Sequence, residues 1–475
     1  MSITADQEDN FSVSRNIKIG FFHLGSGMAD VLTTGVWNRI MITDVGLAAT
    51  PIGLLISLRY FLAPLGIWAG RMSDKHAVGG FRRLTWVWLG RLMMVLSVFG
   101  LGWQTAQLVD GAEATLAVWG VLALSLLLFS LGSSLSSSTF LALIYDRSPE
   151  HQRGRAVGIV WTFLLLGFTI GGIVFGALLS SDKSEFHQLF FIPQYVPDDF
   201  GITTYTANAV QNLFIVAGIV LASLWFFSLL GEEHRLRKGE TIPIKSNDSQ
   251  TSVFQDLRLV WDSHPMRYFF WFLALSMIFA FSQDLILEPF AGEVFGMDAE
   301  ITTRFAGYWG SMAILATIGF LFLSRRWKWL TNSMMSHIGV ITLIGAFVVF
   351  AICGIAEIRP LVTPGLILLG LGLGFWNVGT LGLMMDMSPA GRAGTFLGFW
   401  TLVVTFGRGI GVSMSGPMRD GLIASGIDTN LAYGTVFVIG ALGLGLSWWA
   451  LSQISAHHTS AQPADTATVF VGAME

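Results

Sequence analysis

Asp146-Arg147-Ser148-Pro149, followed by Arg155-Ala156 and Trp161, returns later in the chain as Asp386-Met387-Ser388-Pro389, followed by Arg392-Ala393 and Trp400. The first copy lies between the fourth and fifth of twelve long apolar segments, the second between the tenth and eleventh. A repeat at equivalent places in a six-plus-six count means two related halves. The segments are 18–42, 51–71, 84–106, 115–145, 154–180, 207–230, 267–290, 303–324, 332–354, 361–386, 392–415 and 430–454. Each offers the roughly 20 mostly apolar residues that a helix needs to cross the hydrocarbon core. The runs are continuous rather than alternating, so helices are predicted rather than barrel strands. Thr50-Pro51 is expected to cap and start the second helix.

The composition agrees. The chain has 475 residues, 53% of them hydrophobic and only 12% charged. That is about half the charge of a soluble domain, too little to cover a large water-exposed surface. Net charge is −4, so no basic excess attracts nucleic acid. Cys353 is the single cysteine, which excludes an intrachain disulfide and a cysteine-based metal cluster. Residues 1–16 are polar and acidic, unlike a cleavable leader, so the first apolar segment is expected to stay as a helix.

Lys and Arg gather in one set of loops, among them Arg15, Lys18, Arg71, Arg82, Arg83, Arg153, Arg235 and Arg392. The opposite set holds only Arg39, Lys183, Arg304, Arg359 and Arg419. The first set is expected to be cytoplasmic, with both termini. The predicted organisation is a tail (1–17), a six-helix half (18–230), a cytoplasmic linker (231–265), a second six-helix half (266–454) and a second tail (455–475). Within the linker, Val253, Leu257, Val260 and Trp261 give one weak apolar face. The outer loop 181–206 is aromatic.

Two related six-helix halves are the pattern of the major facilitators. Gly70-Arg71-Met72-Ser73-Asp74-Lys75, then Gly80-Phe81-Arg82-Arg83, resembles that superfamily's loop signature with about two residues inserted. The resemblance implies a gate built from Gly70, Asp74, Arg82 and Arg83, with Asp146, Arg153, Asp386 and Arg392 at the repeat positions. Asp74 is expected to meet a helix N-terminus or an Arg. Two superfamily features are missing. The fourth helix carries Ser133, Ser134, Ser136, Ser137 and Ser138 in place of an embedded Arg. The fifth has Gly167, Gly171, Gly172 and Gly176 without a proline.

Inside the segments stand three acids, Asp30, Asp284 and Glu288, and three bases, Arg59, Arg91 and Arg408. Charges in a membrane are expensive, so these should pair or line a wet cavity. Asp284 and Glu288 are four apart and share a helix face. His23, Gly27, Asp30 and Thr34 form a stripe at helical spacing. No His–carboxylate cluster has metal-site spacing, so a protein-only metal site is not expected. No catalytic triad or phosphate loop stands out, and an enzyme is not expected.

The stretch His23-Leu-Gly-Ser-Gly-Met-Ala-Asp30-Val-Leu-Thr-Thr-Gly35-Val-Trp37-Asn38-Arg39 resembles the PucC/LhaA family. So do Leu58-Arg59-Tyr60-Phe61-Leu62-Ala63-Pro64 and Gln283-Asp284-Leu-Ile-Leu-Glu288-Pro289-Phe290. This is the light-harvesting complex assembly, or bacteriochlorophyll delivery, branch of the major facilitators. The resemblance implies binding or delivery of chlorophyll or bacteriochlorophyll in a photosynthetic (thylakoid or inner) membrane. The implied partners are lipids, antenna or photosystem subunits, or pigment-synthesis enzymes. A chlorophyll needs an aromatic slot and an axial ligand for its magnesium. His23, Gln283 and Asn377 are the intramembrane side-chain candidates, beside a backbone carbonyl or a water. The expectation is an all-α membrane protein of twelve helices in two halves that handles such a pigment. The alternatives are a proton-coupled transporter of another amphipathic solute and a non-transporting assembly scaffold.

Overall fold

The computed structural model describes residues 13–147, 153–179, 206–235, 264–327, 329–387 and 393–458. Most of the predicted linker with its apolar face, the outer loop up to residue 205, the ends of both tails and Arg392 lie outside them, as does the side chain of Arg153.

The N-terminal half comprises α1 (Val13–Val31, continuing as π-helical turns over Leu32–Trp37 and Ile40–Asp44), α2 (Ala49–Phe61), α3 (Ala63–Lys75), α4 (Leu84–Val109), α5 (Leu116–Arg147), α6 (Arg153–Leu179) and α7 (Ala207–Phe227). The C-terminal half comprises α8 (His264–Ala280), α9 (Gln283–Phe295), α10 (Ala299–Thr303), α11 (Phe305–Arg326), α12 (Asn332–Ile355), α13 (Val362–Met387), α14 (Ala393–Ala424) and α15 (Thr429–His458). With α2–α3 and α8–α9 each taken as one broken helix and α10 as a short turn, twelve membrane-length helices stand among the described residues. Ten spans are long and apolar enough to cross a bilayer. The other two, α1 and α14, carry Asp30 and Arg408 and meet through them. Leu124, Phe322 and Leu442 are exposed on the outside, as lipid-facing residues should be.

Three helix ends differ from the sequence reading. Helix α1 begins within the predicted tail, where Arg15 and Lys18 bind Glu232 beyond α7. Helix α15 also runs past 454, to His458. Helix α14 runs on to Ala424 because Arg419 and Asp420, charges that read as loop, are satisfied there by Glu293, Tyr433 and the start of α2.

The breaks have local causes. In α1 the hydroxyls of Thr33 and Thr34 donate to the carbonyl of Asp30, just before Gly35, which loosens the helical ladder. Between α2 and α3, Pro64 sits in a first turn after Leu62. Within α9, Pro289 has no N–H for the carbonyl four residues earlier, that of Leu285. Asn38 Nδ2 of α1 donates to that carbonyl at 2.9 Å. A proline inside a helix in lipid needs such a substitute partner for the carbonyl it leaves free. Asn38→Leu leaves this buried carbonyl unpaired and is expected to cost about 1–3 kcal/mol. Denaturation in detergent, compared with wild type, measures it.

The halves meet at one end and part at the other. Helix α2 packs along α14, whereas α3 packs on α5 of its own half and hardly touches α14. Likewise α9 touches the π turns of α1 and the start of the second helix, while α8 packs within its own half. Close approach at the sealed end uses glycine: a β-carbon on Gly172 of α6 would meet the backbone N of Gly307 in α11 at 2.6 Å.

Candidate functional site

At mid-membrane the two halves are tied by charge. Asp30 of α1 pairs with Arg59 of α2, and its other oxygen lies 3.2 Å from Arg408 of α14. Arg408 also holds Asp284 of α9, with Nη2 at 2.6 Å and Nε at 2.9 Å. Asp30 and Asp284 are the equivalent acids of the first helix in each half, and one guanidinium spans them. Gln283 Nε2 donates to Asp284 at 2.6 Å, and Arg59 donates to the Tyr60 hydroxyl at 2.6 Å. Tyr60 and Phe281 also present ring faces to Arg408, at 5.3 and 4.7 Å. Each charge that was taken out of water here is repaid by several partners.

Against this network lies a small cavity of about 20 Å³, lined by Thr34, Phe168, Gln283, Glu288, Trp309 and Arg408 among others. That leaves room for about one water, well short of the roughly 300–1,000 Å³ of small-molecule sites. Glu288 is 5% exposed, and its Oε2 has no hydrogen-bond partner.

The six charges do not balance in space as their count suggests. Arg91 of α4 lies outside the network, with its guanidinium 4.3 Å from the Phe22 ring centre and 4.6 Å from that of Trp225. Among the described residues neither Arg91 nor Glu288 is in an ion pair. Phe22, Trp225 and the Met94 sulfur, 3.4 Å away, lie against the buried Arg91 cation, which also acts on His23 through its charge.

The ligand candidates do not converge. His23 is partly exposed; its Nδ1 is buried without a partner, and its ring lies 5.0 Å from Phe140, 5.9 Å from Trp161 and 6.1 Å from Phe22. Gln283 is committed to Asp284. Asn377 of α13 is exposed. The stripe on α1 is divided too, because Gly27 packs on Gly167 of α6.

At the parted end, Arg83 joins Asp74 (2.5 Å), Asp146 (3.1 Å) and the Ser73 hydroxyl (2.5 Å), and Arg82 joins Asp74 at 2.7 Å. Arg83 Nη1 also reaches the Gly70 carbonyl. Asp74 therefore takes the arginine option of the two expected, and the cluster ties the helices of one half together. Asp386 accepts from Asn332 at 2.9 Å. Glu233, which the sequence reading missed, accepts from the amides of Arg82, Arg83 and Leu84 and so caps α4.

At the sealed end, Asp420 of α14 accepts from the amides of Ala49 (3.2 Å) and Thr50 (2.7 Å) and from the Thr50 hydroxyl (2.6 Å). The cap expected from Thr50 is thus supplied by the other half. Ala48 holds the cap position and has no capping side chain, and a carboxylate is the stronger acceptor. Arg39 holds Asp44 at 2.7 Å and the Met297 carbonyl, across the halves, at 2.8 Å. Arg419 pairs with Glu293 and, at 2.7 Å, with Asp420. Asn38, Tyr60 and Arg39 lay inside the quoted family stretches. Asp420 gave no local signal.

The family model described as PUCC protein matches residues 36–459. "Protein PucC" of Rhodovulum sulfidophilum is 26% identical over 425 residues, covering 87% of this chain and 86% of that one. The "Bacteriochlorophyll synthase 44.5 kDa chain" of Rhodobacter capsulatus is 28% identical over 441 residues, covering 90% and 91%. Among solved structures, a mutant form of the nucleoside transporter NupG superposes with a TM-score of 0.64 at 14% identity, covering 92% of this chain and 99% of that one. That likeness shows the major-facilitator fold.

Proposed function

The chain belongs to the PucC protein family, and from that premise we propose that it binds a chlorophyll-type pigment and assists assembly of photosynthetic pigment–protein complexes. In this reading it is a carrier rather than a catalyst, and the lysine- and arginine-rich, parted end faces the cytoplasm. Its partners are lipid and antenna or photosystem subunits, or the enzymes that make the pigment.

The observation that carries the reading is His23. A ring nitrogen without a partner, edged by Phe22, Phe140 and Trp161, suits a flat macrocycle that needs one axial ligand and aromatic contact. The ring nitrogens of a chlorin hold its magnesium, so the protein need supply only one axial ligand. The central cavity, about 20 Å³, is far too small for a chlorin with its isoprenoid tail. That favours His23 over Gln283, whose amide is already bonded to Asp284. Asn377 remains a weaker candidate. A transporter of another amphipathic solute is the second reading, favoured by the buried polar cavity between the halves.

Gently purified protein from a pigment-making host is expected to show chlorophyll-type absorption. His23→Leu is expected to lower pigment per protein several-fold while the protein still inserts and folds. Colourless wild-type protein would defeat the pigment reading. Full pigment in both His23→Leu and the double variant with Gln283→Leu would remove these ligands.

A further inference from the structure

Among the described residues, the central layer holds one carboxyl more than its cations can neutralise. Asp30 and Asp284 are matched by Arg59 and Arg408, and Asp44 by Arg39. Arg91, the sixth charge of the expected balance, is held apart between Phe22 and Trp225. Glu288 is left over, 5% exposed, with Oε2 unpartnered at a cavity. A buried carboxyl without a cation takes up a proton rather than remain charged.

Its surroundings connect that proton to the sealed end. Gly292 lies one turn beyond Glu288, on the same face of α9. A β-carbon on Gly292 would meet Arg39 Cζ at 2.5 Å, so the guanidinium lies directly over that turn. The groups facing Glu288 are Asp284 on its own helix and Asn38 and Arg39 from the first helix. Arg408 of α14 shares the cavity. Beyond Arg39 stand Asp44, Asp298 and Arg359. Arg408 is held by two aspartates, whereas Arg39 has one carboxylate and the Met297 carbonyl. Arg39 is therefore the cation free to change partner.

We propose that Glu288 is a proton-binding site whose occupancy sets the seal. With the proton on, Glu288 is neutral, and Arg39 stays on Asp44 and bridges to Met297 of the opposite half. When the proton leaves to water, the new carboxylate competes for Arg39, the bridge to Met297 is lost and the halves part at that end. The device goes beyond the pigment reading and holds for any solute the protein handles.

Spin labels report it without relying on solute. Ala112→Cys and Ser425→Cys place one label on an exposed loop of each half at the sealed end, in a Cys353→Ala background. The distance between the labels in wild-type protein is expected to lengthen as pH rises. Glu288→Gln, which mimics the protonated form, is expected to keep the short distance at every pH. Asp44→Asn loosens the hold on Arg39 and is expected to lower the midpoint by about one pH unit, tenfold in proton affinity. A wild-type distance that ignores pH, or a Glu288→Gln variant that follows pH like wild type, would overturn the proposal. So would an unmoved midpoint in Asp44→Asn, a variant that leaves the proton site intact.

Discussion

Arg408→Met is expected to destabilise the protein by about 3–5 kcal/mol, the usual cost of removing one partner from a buried ion pair. Arg408 serves two carboxylates, and its loss leaves Asp284, 8% exposed, with no cation and Asp30 with Arg59 alone. Asp284→Leu is expected to cost less, because Arg408 keeps Asp30 at 3.2 Å. The double variant Arg408→Met with Asp284→Leu removes both ends of the pair. It is expected to recover much of the loss, since apolar groups of similar volume replace buried ion pairs at little cost. Denaturation of the four proteins in one detergent forms a cycle whose coupling should reach about 2–3 kcal/mol. Additive losses would mean that Arg408 is held by its ring contacts with Tyr60 and Phe281 rather than by charge.

The features legible in the sequence are those that apolar run length, an internal repeat and the scarcity of intramembrane charge impose. Lipid requires long apolar runs, so the helix count follows from them, and the repeat around Asp146 and Asp386 gives the two halves, without any contact being known. Intramembrane acids and bases are few, so Asp30, Arg59, Asp284 and Arg408 stood out, and the structure brings all four together. Which charge meets which is a three-dimensional property. Arg91 lies outside the network, its guanidinium against the rings of Phe22 and Trp225. The helix breaks were hidden for a similar reason. The carbonyl that Pro289 leaves free finds its partner in Asn38, 247 residues earlier than Leu285. Asp420 and Arg419 looked like loop charges because nothing nearby could satisfy them; Thr50 and Glu293 do so from distant segments.

Asp420→Ala tests whether the two halves are sealed by a helix cap that neither half owns. Within α2 itself, Ala48 offers no capping side chain, so the first amides depend on the opposite half. The substitution removes the acceptor for Ala49 N, Thr50 N and the Thr50 hydroxyl together, and frees one arm of Arg419. Loss of a cap costs about 0.5–2 kcal/mol, and the charge-assisted hydroxyl bond adds to it. Water can reach these groups once the end opens, so the cost falls on the sealed state rather than on folding. A bias of about 2 kcal/mol moves the sealed-to-open ratio roughly thirty-fold. Unfolding in detergent should therefore change little, while the labels at residues 112 and 425 should shift to long distances even at low pH. Asp420→Asn retains an acceptor oxygen but not the charge, and should fall between the two. Because Glu288 keeps its proton at low pH, an open Asp420→Ala protein there would separate the cap from the Arg39 bridge as two independent fastenings. An unchanged distance together with a large loss of stability would instead make Asp420 part of the folding core.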